Sequence, residues 1–264
     1  MSDEASRATE LAAHYAICDR QLRAASRDLW LASLYAPRRL RGHVHALHAF
    51  SLEIGDVREK VSQPLLGEMR LRWWTDAILT EEAGARAHPI ADALLDTIAA
   101  QGLSRDEFVD FLDAHSADLY DDRMPSTAEL LDYCRRVAAQ PLRWTAHCLG
   151  ARDDQETLSA FDDAGVAMGL IGVLLQLRRG LGRQFLPLDL PDDPQAASLE
   201  LLQLASARYQ SARAIARSLD EPARIALLPA AGLPLYFESL RTSRDEPSPW
   251  RRQWRLWRAA RKGL

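Results

Sequence analysis

The chain has 264 residues, of which 47% are hydrophobic and 27% charged, and its formal net charge is −4. This composition excludes an intrinsically disordered protein and is typical of a globular domain with a substantial core. A net acidic chain without an extended basic groove also argues against a nucleic-acid-binding protein. The N-terminal segment is acidic and lacks the apolar stretch of a secretory signal, so we expect a cytoplasmic protein.

Apolar residues recur at the helical period over most of the chain. The clearest runs are Leu11, Tyr15, Cys18 and Leu22, then Phe108, Phe111, Leu112, His115 and Leu119, then Tyr209, Ala212, Ile215, Ala216 and Leu219. Ser104 to Glu107 and Ser126 to Glu129 fit the capping box that begins a helix. No segment alternates apolar and polar residues as a strand would. The sequence therefore predicts an all-α fold of roughly seven or eight helices, separated mostly at prolines.

The middle of the chain carries two irregularities inside helical patterns. Pro141 removes a backbone donor from its helix, so we expect a kink there. Gly165, Gly169 and Gly172 share one face of the next helix, which permits close approach of another backbone or of a ligand. We keep both interpretations, tight helix packing and a candidate pocket. The longest apolar run, 165–177, is broken well short of the roughly 20 residues of a membrane span, so we expect no transmembrane helix.

Three groups of side chains invite a metal-binding interpretation, and the sequence argues against each. They are Cys18, Cys134 and Cys148; His43, His45 and His48; and the acidic residues Asp118, Asp121, Asp122, Asp162 and Asp163. The cysteines are far apart and are expected to be small core residues. The histidines have no cysteine or carboxylate at ligand spacing, so a structural or surface role is favoured. The acidic residues are expected to be surface charges. We therefore predict no metal site.

The last segment differs in composition from the rest. We predict one domain over residues 1–249, followed by a basic amphipathic helix over 250–264. On that helix Trp250, Trp254 and Trp257 form one stripe. The basic residues beside it are Arg251, Arg252, Arg255, Arg258 and Lys262. Tryptophan beside arginine suits the membrane interface, so we expect this tail to contact a membrane surface or a protein partner. Packing of the tryptophans on the domain's own surface is the alternative.

Several stretches resemble one known family nearly from end to end. They are residues 31–50, 57–77, 118–138, 169–190 and 250–262, and the run GEMRLRWW at 67–74 is the most specific. The family that they resemble is that of squalene and phytoene synthases, and within it the branch that includes the respiratory complex I assembly factor and its bacterial relatives. The resemblance implies a helical isoprenoid-synthase fold around a central cavity. It also implies a relation to enzymes that join two prenyl diphosphates head to head.

Active members of that family carry two aspartate-rich motifs that hold magnesium, and both are degenerate in this sequence. The first aligns with 55–59, where Gly55 replaces the leading aspartate and only Asp56 and Glu59 are acidic. The second aligns with 172–180, where Gln176 and Gly180 replace the two aspartates. No carboxylate occurs anywhere from 164 to 188.

A third departure lies in the first helical region. Asp28 and Leu29 stand there where the resemblance implies a phosphate-contacting Ser-Phe pair. A carboxylate at that place would repel a diphosphate. Each of the three departures removes a group that a metal-bound diphosphate would need.

These observations lead to one favoured hypothesis. It is a non-catalytic protein, with no metal or cofactor, that assists assembly or maturation of respiratory complex I. Its partners would be complex I subunits, the inner face of a membrane and a prenyl lipid. The alternative is an active magnesium-dependent prenyl diphosphate transferase that uses Asp56 and Glu59. A third hypothesis is a helical scaffold with no pocket ligand.

Overall fold

Helices are the regular secondary structure of the described residues 2–80, 88–242 and 245–264 in the computed structural model, which contain no strand. Their contacts cluster into two compact units. The first seven α-helices are α1 (Ser2–Ala25), α2 (Arg27–Ser33), α3 (Arg41–Gly55), α4 (Val57–Lys60), α5 (Pro64–Leu79), α6 (Pro89–Gln101) and α7 (Arg105–Ala114). The other seven are α8 (Thr127–Cys134), α9 (Gln140–Leu149), α10 (Gln155–Arg178), α11 (Pro194–Ile215), α12 (Glu221–Ala226), α13 (Leu233–Arg241) and α14 (Pro249–Lys262). The all-α prediction is confirmed.

The expected number of helices was too low because several helices end without a proline. α1 ends just before Ser26, whose hydroxyl accepts a bond from Leu29 N at 3.4 Å and begins α2. Asp56 separates α3 from α4. Ser126 caps α8 as predicted, accepting from Glu129 N at 3.3 Å. Ser104 precedes α7 but makes no side-chain capping bond. Polar residues as well as prolines thus mark the ends of helices in this chain.

The first unit comprises residues 1–119 and 147–150, and its core is aromatic. Helices α1, α3 and α6 pack against one another, and α5 packs on α7. Phe50 of α3 lies at the centre, with its ring 5.2 Å from Trp74, 5.8 Å from Phe108 and 5.6 Å from Phe111. All four side chains are buried. Contacts of this kind add stability beyond the buried area itself, by about 0.5–1.5 kcal/mol per pair.

The three histidines of α3 are structural, as the sequence analysis favoured. Tyr15 of α1 donates to Asp96 at 2.6 Å, and its hydroxyl lies 2.9 Å from His43 Nδ1. The ring of His45 lies 2.8 Å from the Ser33 hydroxyl. His48 is buried, and burial lowers its pKa to about 4. Burial also lowers the pKa of His43 and His45, so the three rings are neutral near pH 7. His43 and His45 join α3 to α1 and α2.

The second unit comprises residues 120–146 and 151–264 and is built around α10. This helix packs mainly on α11, on α8 and on a π-helical turn at Arg135–Ala139. The turn ends at Ala139, two residues before Pro141, so the α-helical pattern is interrupted close to the proline. The kink at Pro141 stays a prediction. A Cβ added to Gly165 would overlap the backbone of Ala139, and one added to Gly169 would lie 2.8 Å from Cys134. The glycine face is therefore a helix-packing surface at those two positions.

The length of α10 bears on the expectation that no helix of the chain spans a membrane. The helix runs for 24 residues because its glycines lie inside it and do not end it. By length and composition it could cross a membrane, and 61% of its most apolar window is buried within the protein. The core helix of a soluble protein passes the same test. The burial of its apolar side chains by α8, α11 and the π-helical turn accounts for its composition.

Other expectations have mixed outcomes. Cys18, Cys134 and Cys148 are free and buried, as predicted, and burial raises the pKa of each thiol to about 12.

The surface assignment of Asp163 was wrong, since its carboxylate is buried and accepts a bond from Arg208 at 2.9 Å. Asp118 was also misassigned, because it is largely buried and lies 2.6 Å from His115 Nδ1. Both carboxylates are paired in the fold.

The glycine face generates a matched pair of predictions. Gly165→Ala should lower the free energy of unfolding by about 1–3 kcal/mol, because the added methyl overlaps the Ala139 backbone. Gly172→Ala should raise it by up to about 1 kcal/mol, because nothing lies within 4 Å of the new Cβ and alanine favours the helix. Urea unfolding followed by circular dichroism measures both. Equal effects of the two substitutions would contradict the packing described.

Candidate functional site

The first degenerate motif lies at the junction of α3 and α4 in the first unit. Gly55 ends α3 and is exposed, with nothing within 4 Å of an added Cβ. The Asp56 side chain is half-exposed, and Glu59 is exposed. A shallow groove of about 400 Å³ beside them is lined by α1 and α3. It includes Leu52 and Asp56 but not Glu59, so only one of the two remaining motif acids borders the groove.

The cationic side chain of Lys60 occupies the acidic end of this groove. The Lys60 ammonium lies 2.8 Å from Glu53 Oε2 and 3.6 Å from Asp56 Oδ2. Arg70 Nη2 lies 2.9 Å from the other oxygen of Glu53. The Glu53 side chain is 14% exposed, so its charge is only partly screened by water. Two carboxylates are thus matched by two cations that belong to the chain itself.

Sequence reasoning missed Glu53 and Lys60. One signal was available, since Lys60 follows Asp56 by four residues, a spacing at which opposite charges attract on a helix. The pairing of Lys60 with Glu53, seven residues away, depends on how the chain bends between α3 and α4. That bend has no clear sequence pattern.

The residues at this site do not fit a magnesium cluster. Magnesium requires near-octahedral oxygen ligands, and each diphosphate complex needs several carboxylates. Here Gly55 supplies no side chain, and Asp56 shares an ammonium with Glu53. Within residues 2–80, 88–242 and 245–264, no three His, Cys, Asp or Glu side chains are grouped so as to hold a metal ion. The donor set favours an ammonium over a divalent cation.

The second degenerate motif lies at the end of α10 in the second unit, and here the replaced positions form a turn. Gly180 has φ +76°, a left-handed conformation that glycine adopts readily and aspartate less so. The carbonyl of Gln176 accepts bonds from Arg179 N and Leu181 N, both at 2.9 Å. Gln176 and Gly180 therefore close the helix end. Gly172, the third glycine of the packing face, is exposed.

The charge at this helix end is positive. Arg178 and Arg179 follow Gln176 and both lie near Glu246, at 3.7 Å and 2.5 Å. Glu246 belongs to the segment between α13 and α14. A magnesium ion would meet guanidinium groups in this place, so the residues of the second motif do not fit the metal either.

The Asp28 position also has a structural explanation. It lies in the first turn of α2, two residues after the capping residue Ser26. A carboxylate there interacts favourably with the helix dipole, typically by about 0.3–1 kcal/mol. Asp28 thus stabilises the start of a short helix at the place where the resemblance implies phosphate contact.

The C-terminal helix α14 is held to the second unit by one face and exposes the other. Leu256 is buried, Arg252 Nη1 donates to the Tyr236 hydroxyl at 3.1 Å, and Arg251 donates to Glu238 at 3.1 Å. Arg255 donates weakly to the Ala231 carbonyl at 3.4 Å. Arg258 is exposed. Three of the five residues of the basic face thus anchor the helix.

The tryptophan stripe of α14 is exposed. Trp250, Trp254 and Trp257 are 71%, 50% and 39% exposed. Their rings stack in sequence, with centroids 6.5 Å and 4.9 Å apart, and Arg261 lies over Trp257 at 4.3 Å. The alternative in which the tryptophans pack on the domain's own surface is therefore wrong. The stripe is an apolar surface rimmed by cations.

Comparison with known proteins decides the family. The sequence model described as Squalene/phytoene synthase matches residues 22–258. The chain belongs to this family. Squalene synthase HpnC from Alicyclobacillus acidocaldarius has a crystal structure with a TM-score of 0.75 to this chain, over 89% of this chain and 95% of that one. The two sequences are 22% identical, so the likeness establishes the fold of this family member and not its activity.

The names of the curated relatives describe two kinds of protein. NADH dehydrogenase (ubiquinone) complex I, assembly factor 6 of Homo sapiens is 27% identical over 180 residues, which are 67% of this chain and 53% of the relative. The chain therefore spans about half the length of the curated relatives that it matches. Bifunctional protein CrtB/UppS of Streptomyces coelicolor is 32% identical over 111 residues, which are 41% of this chain and 19% of that relative.

The ion pairs of Lys60 at the first motif lead to a prediction about magnesium binding. Wild-type protein should show no saturable rise in melting temperature on addition of Mg²⁺, because Lys60 and Arg70 already neutralise Glu53 and Asp56. Lys60→Gln should cost less than about 1 kcal/mol, since the ammonium is partly exposed, and should introduce a small Mg²⁺-dependent stabilisation. Lys262→Gln, at the other end of the chain, is the control. Saturable Mg²⁺ stabilisation of the wild type would contradict this account.

Proposed function

We propose that this protein is a non-catalytic member of the squalene/phytoene synthase family that assists the assembly or maturation of respiratory complex I. The observation that carries the non-catalytic part is the Lys60 ammonium between Glu53 and Asp56. Ionising a prenyl diphosphate demands many kcal/mol of charge stabilisation at the leaving group, which metal-bound carboxylates normally provide. Neither motif position of this chain supplies such a set. We propose that the protein acts without a cofactor and without a resident metal.

The assembly role is supported by the names of the curated relatives. Four of them, from Homo sapiens, Mus musculus, Rattus norvegicus and Bos taurus, are complex I assembly factor 6, each 26–27% identical to this chain. The matched region covers two-thirds of this chain. This likeness supports complex I subunits as partners. A peripheral position on the cytoplasmic side of the inner membrane and a prenyl lipid ligand are further parts of the proposal.

An active prenyl diphosphate transferase is the second candidate function. Two observations favour it: the likeness in fold to squalene synthase HpnC and the retention of Asp56 and Glu59. In this alternative the magnesium ligands would have to come from residues outside the two motif positions. Of the two candidate functions, only the transferase would release inorganic pyrophosphate.

A paired measurement tests the proposed function. Incubation with farnesyl or geranylgeranyl diphosphate and Mg²⁺ should release pyrophosphate at the background rate, because neither degenerate motif supplies a set of carboxylates that binds the metal. The squalene synthase of Alicyclobacillus acidocaldarius serves as positive control. Affinity capture of the tagged protein from native membranes should recover NADH dehydrogenase subunits. Steady pyrophosphate release that Asp56→Asn abolishes would establish the transferase instead, and capture without any respiratory subunit would remove the assembly role.

We propose further that α14 places the protein on a membrane surface. Its exposed indoles match the depth of lipid head groups, and Arg258, Arg261 and Lys262 lie on the exposed part of the helix, where they can meet anionic lipid. Electrostatic attraction of this kind contributes about 1 kcal/mol per basic residue near an anionic surface. The buried Leu256 keeps the helix attached while its other face is available.

Vesicle co-sedimentation measures this contact. Wild-type protein should bind vesicles that contain anionic phospholipid and bind zwitterionic vesicles less. The double substitution Trp254→Ala with Trp257→Ala should lower the bound fraction at least fivefold, since most of the interfacial contact is lost. Tyr35→Ala, which removes a ring that is 39% exposed like Trp257, is the matched control and should bind as wild type. If the double variant binds vesicles to the same fraction as wild type, the membrane proposal is wrong and a protein partner for the stripe is favoured.

A further inference from the structure

Helix α5 of the first unit buries one face and exposes the other. Its buried residues are Gly67, Leu71, Trp74, Ala77 and Ile78. Its exposed large apolar residues are Leu65, Leu66, Met69 and Leu79, with exposed fractions of 62%, 46%, 62% and 52%. No other helix within residues 2–80, 88–242 and 245–264 exposes as many large apolar side chains. Apolar side chains that gather on one exposed surface mark an interaction site.

The exposed residues have the spacing of a helix that packs along another helix. The α5 face consists of Leu65, Met69, Arg72, Asp76 and Leu79, which follow one another at intervals of four, three, four and three residues. This repeat keeps a continuous line of side chains directed to a partner helix. The Arg72 side chain is 77% exposed and that of Asp76 48%, and Arg72 Nε lies 3.1 Å from Asp76 Oδ1. The α5 face is therefore apolar toward both ends and carries opposite charges in its middle.

These charges indicate which partner the α5 face fits. In a parallel, in-register pair of α5 helices, each Arg72 would face another Arg72 and each Asp76 another Asp76, and the like charges would repel. In an antiparallel pair centred midway between the two residues, Arg72 of each copy faces Asp76 of the other. The same pairing places Met69 opposite Leu79 at both ends. The face is therefore complementary to itself about a two-fold axis.

A lipid surface fits the α5 face less well. A helix that lies on a membrane keeps its charged residues on the side away from the acyl chains, and its apolar side is continuous. Here Arg72 and Asp76 lie within the exposed face, between Met69 and Leu79. Inserting this face into lipid would remove both charges from water, whereas a second α5 supplies each of them with an opposite charge.

We propose that two copies of this protein associate through α5 in an antiparallel, two-fold symmetric pair. Two ion pairs between Arg72 and Asp76 flank the axis, and Met69 packs on Leu79 beyond each ion pair. α5 has 16 residues and is about 24 Å long. A contact limited to one such helix belongs to the class that buries less than about 1,200 Å², in which complexes are weak. The dimer is therefore reversible, and it does not depend on the assembly role.

Sedimentation equilibrium between about 1 μM and 1 mM protein, where weak complexes dissociate, tests the association. Wild-type protein should change reversibly from monomer to dimer as its concentration rises. Met69→Glu should weaken the dimer at least tenfold, because a carboxylate would replace an apolar contact. Leu188→Glu, which changes a side chain of the second unit that is 60% exposed, is the matched control and should associate as wild type. A wild type that stays monomeric, or equal association by Met69→Glu, would overturn the proposal.

Charge reversal tests which residues face each other. Arg72→Asp and Asp76→Arg should each stay monomeric over the same concentrations, because each variant places like charges opposite one another at the axis. An equimolar mixture of the two variants should dimerise, and so should the double variant Arg72→Asp with Asp76→Arg, since opposite charges then meet again. Failure of both the mixture and the double variant to dimerise would contradict the proposed pairing.

Disulfide formation tests the direction of the helices. Met69→Cys mixed with Leu79→Cys should form cross-linked dimers on mild oxidation, because the pairing brings positions 69 and 79 together. Either variant alone should cross-link poorly, since its two new thiols lie about 15 Å apart along the helix axis. The native cysteines are buried and do not compete. Equal cross-linking by either variant alone would exclude the antiparallel arrangement. The pyrophosphate and capture measurements are independent of all these outcomes.

Discussion

The close approach of α10 to the π-helical turn at Arg135–Ala139 is the constraint on which the second unit depends. A side chain at Gly165 would collide with Ala139 of that turn, and one at Gly169 would collide with Cys134, the last residue of α8 directly before the turn. Because a helix presents its side chains at fixed angles, fixing these glycines also fixes where every other residue of α10 points. Gly172 and Gln176 are thereby exposed on the motif side, and Leu174 and Arg178 are directed to a pocket formed with α11 and α13.

In the first unit, cationic side chains of the protein itself neutralise the acids beside the first motif. The active members of the family that the sequence resembles need magnesium to hold a diphosphate, and the acids that bind it would repel one another without the metal. Here Lys60 and Arg70 neutralise Glu53 and Asp56 within the chain. The acidic end of the groove is therefore stable without a ligand.

The sequence predicted features that depend on neighbouring residues. Helical periodicity indicated the all-α fold, the glycine spacing indicated a packing face on α10, and the tryptophan spacing indicated the stripe on α14. Features that depend on distant residues were missed or misassigned. Asp163 is buried because Arg208, 45 residues away, pairs with it. The pocket between α10, α11 and α13 combines leucines and arginines from three separate helices, and no local pattern marks such a meeting.

The three buried cysteines have a practical consequence for chemistry on this protein. A thiol reacts with oxidants and alkylating agents as the thiolate, and a pKa of about 12 leaves almost none of that form near neutral pH. Each sulfur is also shielded from reagent by its burial. Cys18 and Cys148 belong to the first unit and Cys134 to the second. Thiol modification therefore occurs only when a unit opens, and the cysteine that is modified identifies which of the two has opened.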